Sequence, residues 1–378
     1  MTDRTETPFA ANDVRLTPRE WLIALAVTGA ILVAVPIAWQ RVEPLDITPN
    51  HRMPYALGYD YWTYDRMCRA VCAEGDDQER NPEVLIVGDS VVWGHYVAAD
   101  ETLSAQLNGA AGGERFANLG VDGIHPAALA GLMEHYGRAI ADRDVILHCN
   151  FLWMSSARRD LQSTKEFALN HEDLVPQFIG RPPCYRAKAS KRLGVVVGRY
   201  MPAFQWANHM QIAYLDGADL AAWSIDHPYD NPVDALSGDL PSPYDSPASA
   251  SEARPWQVRG LSRFNPPWVK LDESFQWRCF TETLEALRGR GNRVFVVVGP
   301  LNEDMLTEAS LATYTTLKAA ARAWLREREV PHYAASALPS EMYADTSHPL
   351  AEGYRRLAEA LARDEAFREF LDSREARR

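Results

Sequence analysis

VLIVGDS, residues 84–90, is the stretch from which the fold of this 378-residue chain can be read. Four branched apolar residues in an unbroken run suit a short strand buried on both faces, as in a parallel sheet. Gly88 ends the run, and Asp89 and Ser90 stand where such a strand leaves the core. Working outward, the rhythm repeats. Residues 116–119 read as a second strand, 145–149 (VILHC) as a third, 294–298 (VFVVV) as a fourth and 330–335 as a weaker fifth. Helical periodicity is predicted over 102–110, over 126–141 with proline at its start, over 272–287 ended by Gly289 and Gly291, over 306–328 and over 349–362. Alternating strands and helices predict an α/β fold: a three-layer, doubly wound sheet of about five parallel strands, helices on both faces. Ligands of such sheets bind at the carboxyl ends of the strands.

Two segments break the rhythm. Residues 152–270 are charged and aromatic, with a Pro-, Ser- and Asp-rich stretch over 226–267, and read as a long insertion, partly loop, after the third strand. Within it 194–200 suits either a short strand or a helix, and 239–251 reads as a solvated loop. Trp206, Trp223, Trp256 and Trp268 in this insertion suit either sugar stacking or packing of a loop-rich cap. The second break is WLIALAVTGAILVAVPIAW, residues 21–39, uncharged and flanked by tryptophans as interfacial aromatics are. At 1.5 Å per residue it is about long enough for a bilayer core of roughly 30 Å. A buried core helix and a cleaved signal peptide are the alternatives. The run lies outside the strand–helix alternation, follows a long tail of mixed charge and lacks a small-x-small cleavage site, so an uncleaved anchor is expected. Arg4, Arg15 and Arg19 precede it and Arg41 and Arg52 follow, a charge bias that places the body outside the cytoplasm. The expected organisation is a tail over 1–20, the span over 21–39, a connector over 40–80, a catalytic domain over 81–365 interrupted by 152–270, and a tail over 366–378.

Composition narrows the function. The chain is 47% hydrophobic and 24% charged, enough apolar material for a core. A net charge of -12 argues against a nucleic-acid partner. Five cysteines give no complete disulfide framework; Cys68 with Cys72, or Cys184 with Cys279, could pair in an oxidising compartment, and Cys149 reads as a packed thiol. No CxxC spacing or helical His pair with an acidic partner suggests a metal.

The chemistry stands just after the strands. Ser90 follows the first, Gly123 lies beyond the second, Asn150 follows the third, and Asp345 and His348 lie between the last strand and the last helix. Parallel connectivity brings all of them to one sheet edge. Ser90 would be the nucleophile, His348 its base, and Asp345 the group that fixes the imidazole tautomer. The Ser90 and Gly123 amides and the Asn150 side chain would form the oxyanion hole. Pro349 is expected to start a helix and so hold His348 at its entrance. Asp345-Thr346-Ser347 could also serve only as a helix cap. His95 and His148 either contact substrate or are satisfied structural histidines.

In these blocks the sequence resembles the SGNH (GDSL-type) hydrolase superfamily. Ser90 matches the GDS block within VLIVGDSVVWG. Gly123, five residues after Asn118, matches the glycine block, with Gly120 the alternative. Asn150 matches the asparagine block, and Asp345 and His348 the DxxH block. One departure is visible: Gly-x-Asn-Asp is replaced by His148-Cys149-Asn150-Phe151. The resemblance covers roughly 82–151 and 272–365 and implies a flavodoxin-like sheet and serine ester chemistry without a cofactor. The N-terminal span, Asp100-Glu101-Thr102, HCNFLWMS and Gly299-Pro300-Leu301-Asn302-Glu303 are similar to a membrane-anchored branch that includes alginate O-acetylation proteins and the D-alanylation protein of teichoic acid synthesis. That similarity implies an acyl-ester donor, a glycan or lipid-linked sugar acceptor and a membrane-bound O-acyltransferase partner. The expectation is a serine esterase or O-acyltransferase on the outer side of a bacterial inner membrane. The alternative is a degenerate glycan-binding or scaffold subunit.

Overall fold

The computed structural model describes residues 16–45, 52–73, 82–236, 240–242 and 252–375. Most of the N-terminal tail and most of the 239–251 loop expectation lie outside the described residues. Five strands form one parallel sheet: β1 (Val84–Gly88), β2 (Phe116–Gly120), β3 (Asp144–Cys149), β4 (Arg293–Val298) and β5 (His332–Ala334), in the order β2-β1-β3-β4-β5. All pairings are parallel, and Ile86 registers with Asn118 on one side and Ile146 on the other. The α/β class and the five predicted strands are therefore as read, with boundaries moved by a residue or two.

Thirteen helices are described: α1 (Pro18–Val42), α2 (Tyr61–Cys72), α3 (Ser90–Trp93), α4 (Leu103–Ala111), α5 (Pro126–His135), α6 (Ala189–Tyr200), α7 (Pro202–Tyr214), α8 (Leu220–Asp226), α9 (Pro232–Ala235), α10 (Phe275–Gly289), α11 (Glu308–Glu327), α12 (Ala351–Arg363) and α13 (Glu365–Glu375). The strand period of two splits the core. Leu85, Val87, Val145, Leu147, Val296 and Val298 pack with α2, α5, α10 and α11. Val84, Ile86, Ile146, Phe295 and Val297 pack with α4, α12 and α13. Strand side chains buried on both faces contribute about 1.5–3 kcal/mol each, which explains why apolar runs, not alternating ones, mark these strands.

Several expectations need correction. The 40–80 connector contains α2, whose Tyr64, Met67 and Cys68 are buried in the core. Residues 189–235 hold four helices, and 194–200 belongs to one of them. The helix from 126 stops at His135 instead of 141. The 366–378 tail is mostly α13, because Phe367 and Phe370 pack on Phe295 with ring centroids at 5.2 and 5.4 Å, the first edge-on and the second tilted. None of the five cysteines forms a disulfide; Cys149 is a buried thiol, and Cys184 donates to the Leu161 carbonyl. Each of the four insertion tryptophans has a partner within the protein. Trp206 meets Trp39, Trp223 stacks on His227, Trp256 bonds Ser340, and Trp268 bonds Ser310.

α1 is the one helix among the described residues long and apolar enough to cross a membrane, and nearly all of it is exposed. Thr17 and Glu20 form its capping box.

Close approach of α3 to the sheet depends on Gly120. A Cβ there would lie 2.9 Å from the Val92 carbonyl carbon and closer still to the Trp93 nitrogen, both main chain. Gly120→Ala is expected to lower stability by about 1–3 kcal/mol through overpacking, read as a lower midpoint in denaturant. An unchanged midpoint would show that α3 can move off the sheet freely.

Candidate functional site

β1 delivers Ser90 as the first residue of α3. Asp89 caps that helix by accepting from the Val91 amide at 3.1 Å. Asn118 in β2 fastens α3 from the side, donating to the Val92 carbonyl at 2.8 Å while its Oδ1 accepts from the Gly120 amide. Tyr354 of α12 donates to the Val91 carbonyl at 2.6 Å. Ser90 is thus held by β2 and by α12 on one face of the sheet, and its own side chain is left for one partner.

That partner is His348. Its Nε2 accepts from Ser90 Oγ at 2.8 Å, and its Nδ1–H donates to both Asp345 oxygens at 2.9 Å. Asp345 is locked in turn by the Ser347 and His348 amides at 2.9 and 3.0 Å. The helix expected at Pro349 begins at Ala351. His348 sits instead in a loop closed by main-chain bonds, Ala344 N–H to the His348 carbonyl and Leu350 N–H to the Met342 carbonyl. A cap at a helix entrance therefore does not account for Asp345, and the three residues expected to meet do meet.

Burial alone would raise the Asp345 carboxyl, but the facing imidazole and the two amides hold it well below the usual carboxylate range. Burial disfavours charge on His348, yet the adjacent Asp345 outweighs it and raises the imidazole above its ordinary 6.5. A base must be neutral to accept a proton. We therefore expect the acid limb of a kcat/KM profile to fall off through a pKa above 6.5, with Asp345→Asn moving that limb down. A limb unmoved by Asp345→Asn would separate His348 from the rate.

Asn150 caps the turn after β3 through Oδ1, which accepts from the Leu152 amide, and its Nδ2 donates to Asp89 at 2.8 Å. One amide hydrogen is left. Gly123 has φ of +70°, the left-handed region that favours glycine, and Asn170 donates to its carbonyl. Ser90, Gly123 and Asn150 all lie just beyond the carboxyl ends of β1, β2 and β3. Asn150→Ala is expected to lower kcat about 10²- to 10³-fold with an unshifted pH profile, as loss of an oxyanion donor does. A loss confined to KM would assign Asn150 to substrate binding.

Several further side chains surround the site, and of these the sequence singles out only His95 and His148. Asp89 is a buried hub that also accepts from Trp153 Nε1 at 2.9 Å and faces His148 Nδ1 at 3.1 Å; the other His148 nitrogen donates to the Gly299 carbonyl at 3.0 Å. Burial would raise Asp89, but His148 and the donors from Trp153 and Asn150 bring it down to about 2. His148 is therefore a satisfied structural histidine. His95 bonds Asp122 at 2.7 Å and lies 5.4 Å from the His348 ring, with Tyr96 edge-on to that ring at 5.5 Å. Arg259 lies over Tyr96 and donates to the Ala344 carbonyl at 2.9 Å, so the end of the 152–270 segment reaches the His348 loop. Arg52 is buried and donates to the Trp93, Gly94 and Val97 carbonyls, clamping the turn after α3. Only the tripeptide HCN, with an imidazole in a buried strand, hinted at the hub. Among the described residues no group of three or more His, Cys, Asp or Glu is placed to hold a metal.

A hydroxyl bonded to an imidazole that is oriented by a carboxylate can lose its proton as it attacks an electrophilic carbon. No protein-family model matches this chain, and no curated protein matches it.

Proposed function

We propose that this chain is a membrane-anchored serine esterase or O-acyltransferase of the SGNH (GDSL) type that carries an acyl group, acetyl above all, from an ester donor to an exported polysaccharide or other envelope glycan. The observation that carries the reading is the continuous hydrogen-bonded line from Asp345 through His348 to Ser90 at the carboxyl edge of a parallel sheet. The strand order 2-1-3-4-5 is that of flavodoxin-like sheets and supports the same family reading. In the first half-reaction Ser90 Oγ attacks the ester carbonyl and its proton passes to His348 Nε2. The oxyanion collapses, His348 protonates the departing alcohol, and the acyl group stays on Ser90. In the second, water or a sugar hydroxyl gives its proton to His348 and attacks the acyl carbon; Ser90 takes the proton back. Atoms balance without a cofactor. α1 anchors the chain in a bacterial inner membrane with the body outside the cytoplasm, over residues 81–365 with the 152–270 insertion reaching the site. A membrane-bound O-acyltransferase would be the source of acyl groups.

Intact-protein mass spectrometry tests the covalent step. The full chain given p-nitrophenyl acetate and quenched in acid should carry one acetyl mass on the peptide containing Ser90. Turnover without any adduct, retained in Ser90→Ala, would rule out the mechanism. Addition of a glucan oligomer that accelerates adduct loss and appears acetylated would favour transfer over hydrolysis.

A further inference from the structure

α6 turns an apolar stripe outward. At about 100° per residue, Leu193, Val197 and Tyr200 fall within about 60° of one another, a stripe that a globular protein ordinarily turns to its core. Here the three are 56%, 36% and 61% exposed, and no residue of α6 is buried. The opposite side faces the body and is mixed: Val195 is partly buried there beside arginines and glycines. Arg199 donates to the Asp173 and Val175 carbonyls, Arg192 to Gln177, and Gly194 and Gly198 line a cleft of about 230 Å³ against Tyr61 and Trp62. The apolar stripe continues round the corner into α7 through Met201 and Phe204, 39% and 54% exposed. Isolated exposed apolar residues need no explanation; a contiguous stripe at helical spacing does.

The surroundings say what covers it. α6 packs on α7, and α7 packs on the last turns of α1. Trp206 and Tyr214 of α7 flank the Trp39 ring at 6.2 and 6.1 Å, and Pro36, one turn earlier in the apolar run, is buried. The junction is rigid. Glu43, the residue after α1, accepts from Trp39, Arg66, His209 and Tyr214. With α1 across a bilayer, Pro36 and Trp39 lie at its surface, and α7 and the adjoining α6 corner lie there with them.

We propose that the outward stripe formed by Leu193, Val197, Tyr200, Met201 and Phe204 sits in the headgroup–acyl boundary of the bilayer that α1 crosses. The body then rests on lipid at a second point, with its orientation set by α6, and does not swing from α1 alone. Amphipathic helices with aromatic and branched residues on one side bind lipid surfaces in this way. The inference rests on the membrane reading of α1, and the experiment separates the two.

The full chain, with Cys72→Ser to silence its partly exposed thiol, is reconstituted into phosphatidylethanolamine–phosphatidylglycerol nanodiscs. Nitroxide labels are placed singly through Val27→Cys, Val197→Cys, Tyr200→Cys, Phe204→Cys and Arg356→Cys, all exposed positions. Power saturation compares dissolved oxygen, which partitions into lipid, with a water-soluble nickel chelate. Greater relaxation by oxygen at Val27, Val197, Tyr200 and Phe204, reversed at Arg356, is the expected result. Labels at 197, 200 and 204 as open to nickel as Arg356, with Val27 protected, would overturn the lipid contact and leave the anchor intact. Nickel access at Val27 as well would overturn both. Labels immobilised and shielded from both reagents would mean that protein, a second copy or another chain, covers the stripe, and would overturn the lipid assignment.

Discussion

Ser90→Ala and His348→Ala should each lower kcat/KM on an activated acetyl ester by about 10⁴-fold or more, and the double variant should be no worse than either. The two side chains act as one unit. Without His348, the Ser90 proton has no acceptor; without Ser90, the imidazole has nothing to activate. The Ser90–His348 bond at 2.8 Å is the geometric statement of that dependence. Folding should be untouched in Ser90→Ala, since its hydroxyl bonds no main-chain group. Equal thermal midpoints for wild type and variant would therefore accompany the kinetic loss. Losses that multiply in the double variant would mean that the two residues work in separate steps, and the proposed proton transfer would have to be abandoned.

His209→Ala should be the most damaging single change outside the catalytic edge, costing about 3–5 kcal/mol. His209 is fully buried, and both its nitrogens donate to carboxylates, Nδ1 to Asp60 at 2.6 Å and Nε2 to Glu43 at 2.8 Å. Its removal leaves Glu43 paired with Arg66 and leaves the buried Asp60 carboxylate without its cationic partner. Scanning calorimetry in detergent should show a midpoint lower by on the order of 10 °C. The pH dependence has a fixed sign. Burial opposes the charged ring, but Asp60 and Glu43 raise His209 to about 9 from an ordinary 6.5. Its contribution, roughly 3 kcal/mol, is complete below 6.5 and lost as pH rises through 9. Burial likewise opposes ionised Glu43, but His209, Tyr214 and Trp39 lower it to about 2 from 4.5, so its contribution is present above 4.5 and lost as pH falls through 2. Wild type should lose stability between pH 6.5 and 9 to a greater extent than His209→Ala. Parallel curves for the two would show that His209 carries no charge in the fold.

The β-strands were legible because burial on both faces demands continuous apolar runs, and Val84–Val87 and Val294–Val298 have little else to become. Ser90, Asp345 and His348 were legible because parallel connectivity places strand ends on one edge, whatever the helices between them do. α2 and α13 were not, and α6 was legible only in part, as the helical alternative over 194–200. α2 mixes two Tyr, one Trp, two Arg and one Asp, and reads as a polar, aromatic-bearing linker until its rings are packed against the sheet. α13 shows only Phe367 and Phe370 in a charged tail, and needs Phe295 beside them to become a helix worth forming. The Asp89 hub joins the end of β1 to the end of β3 and the turn after it, so beyond the HCN tripeptide no local pattern announces it.

The sequence by itself determined the α/β class, the five strands, the apolar N-terminal helix and the set Ser90, Asp345 and His348, because each depends on local periodicity or on chain direction. Tertiary structure alone decided which nitrogen of His348 meets Ser90, that Asn150 is steadied by Asp89, and that α1 is welded to the body through Glu43. These are distances between residues far apart in the chain, set by packing. α6 shows the difference most sharply: its stripe is written in the sequence, but only the packed fold shows that the stripe faces away from the core.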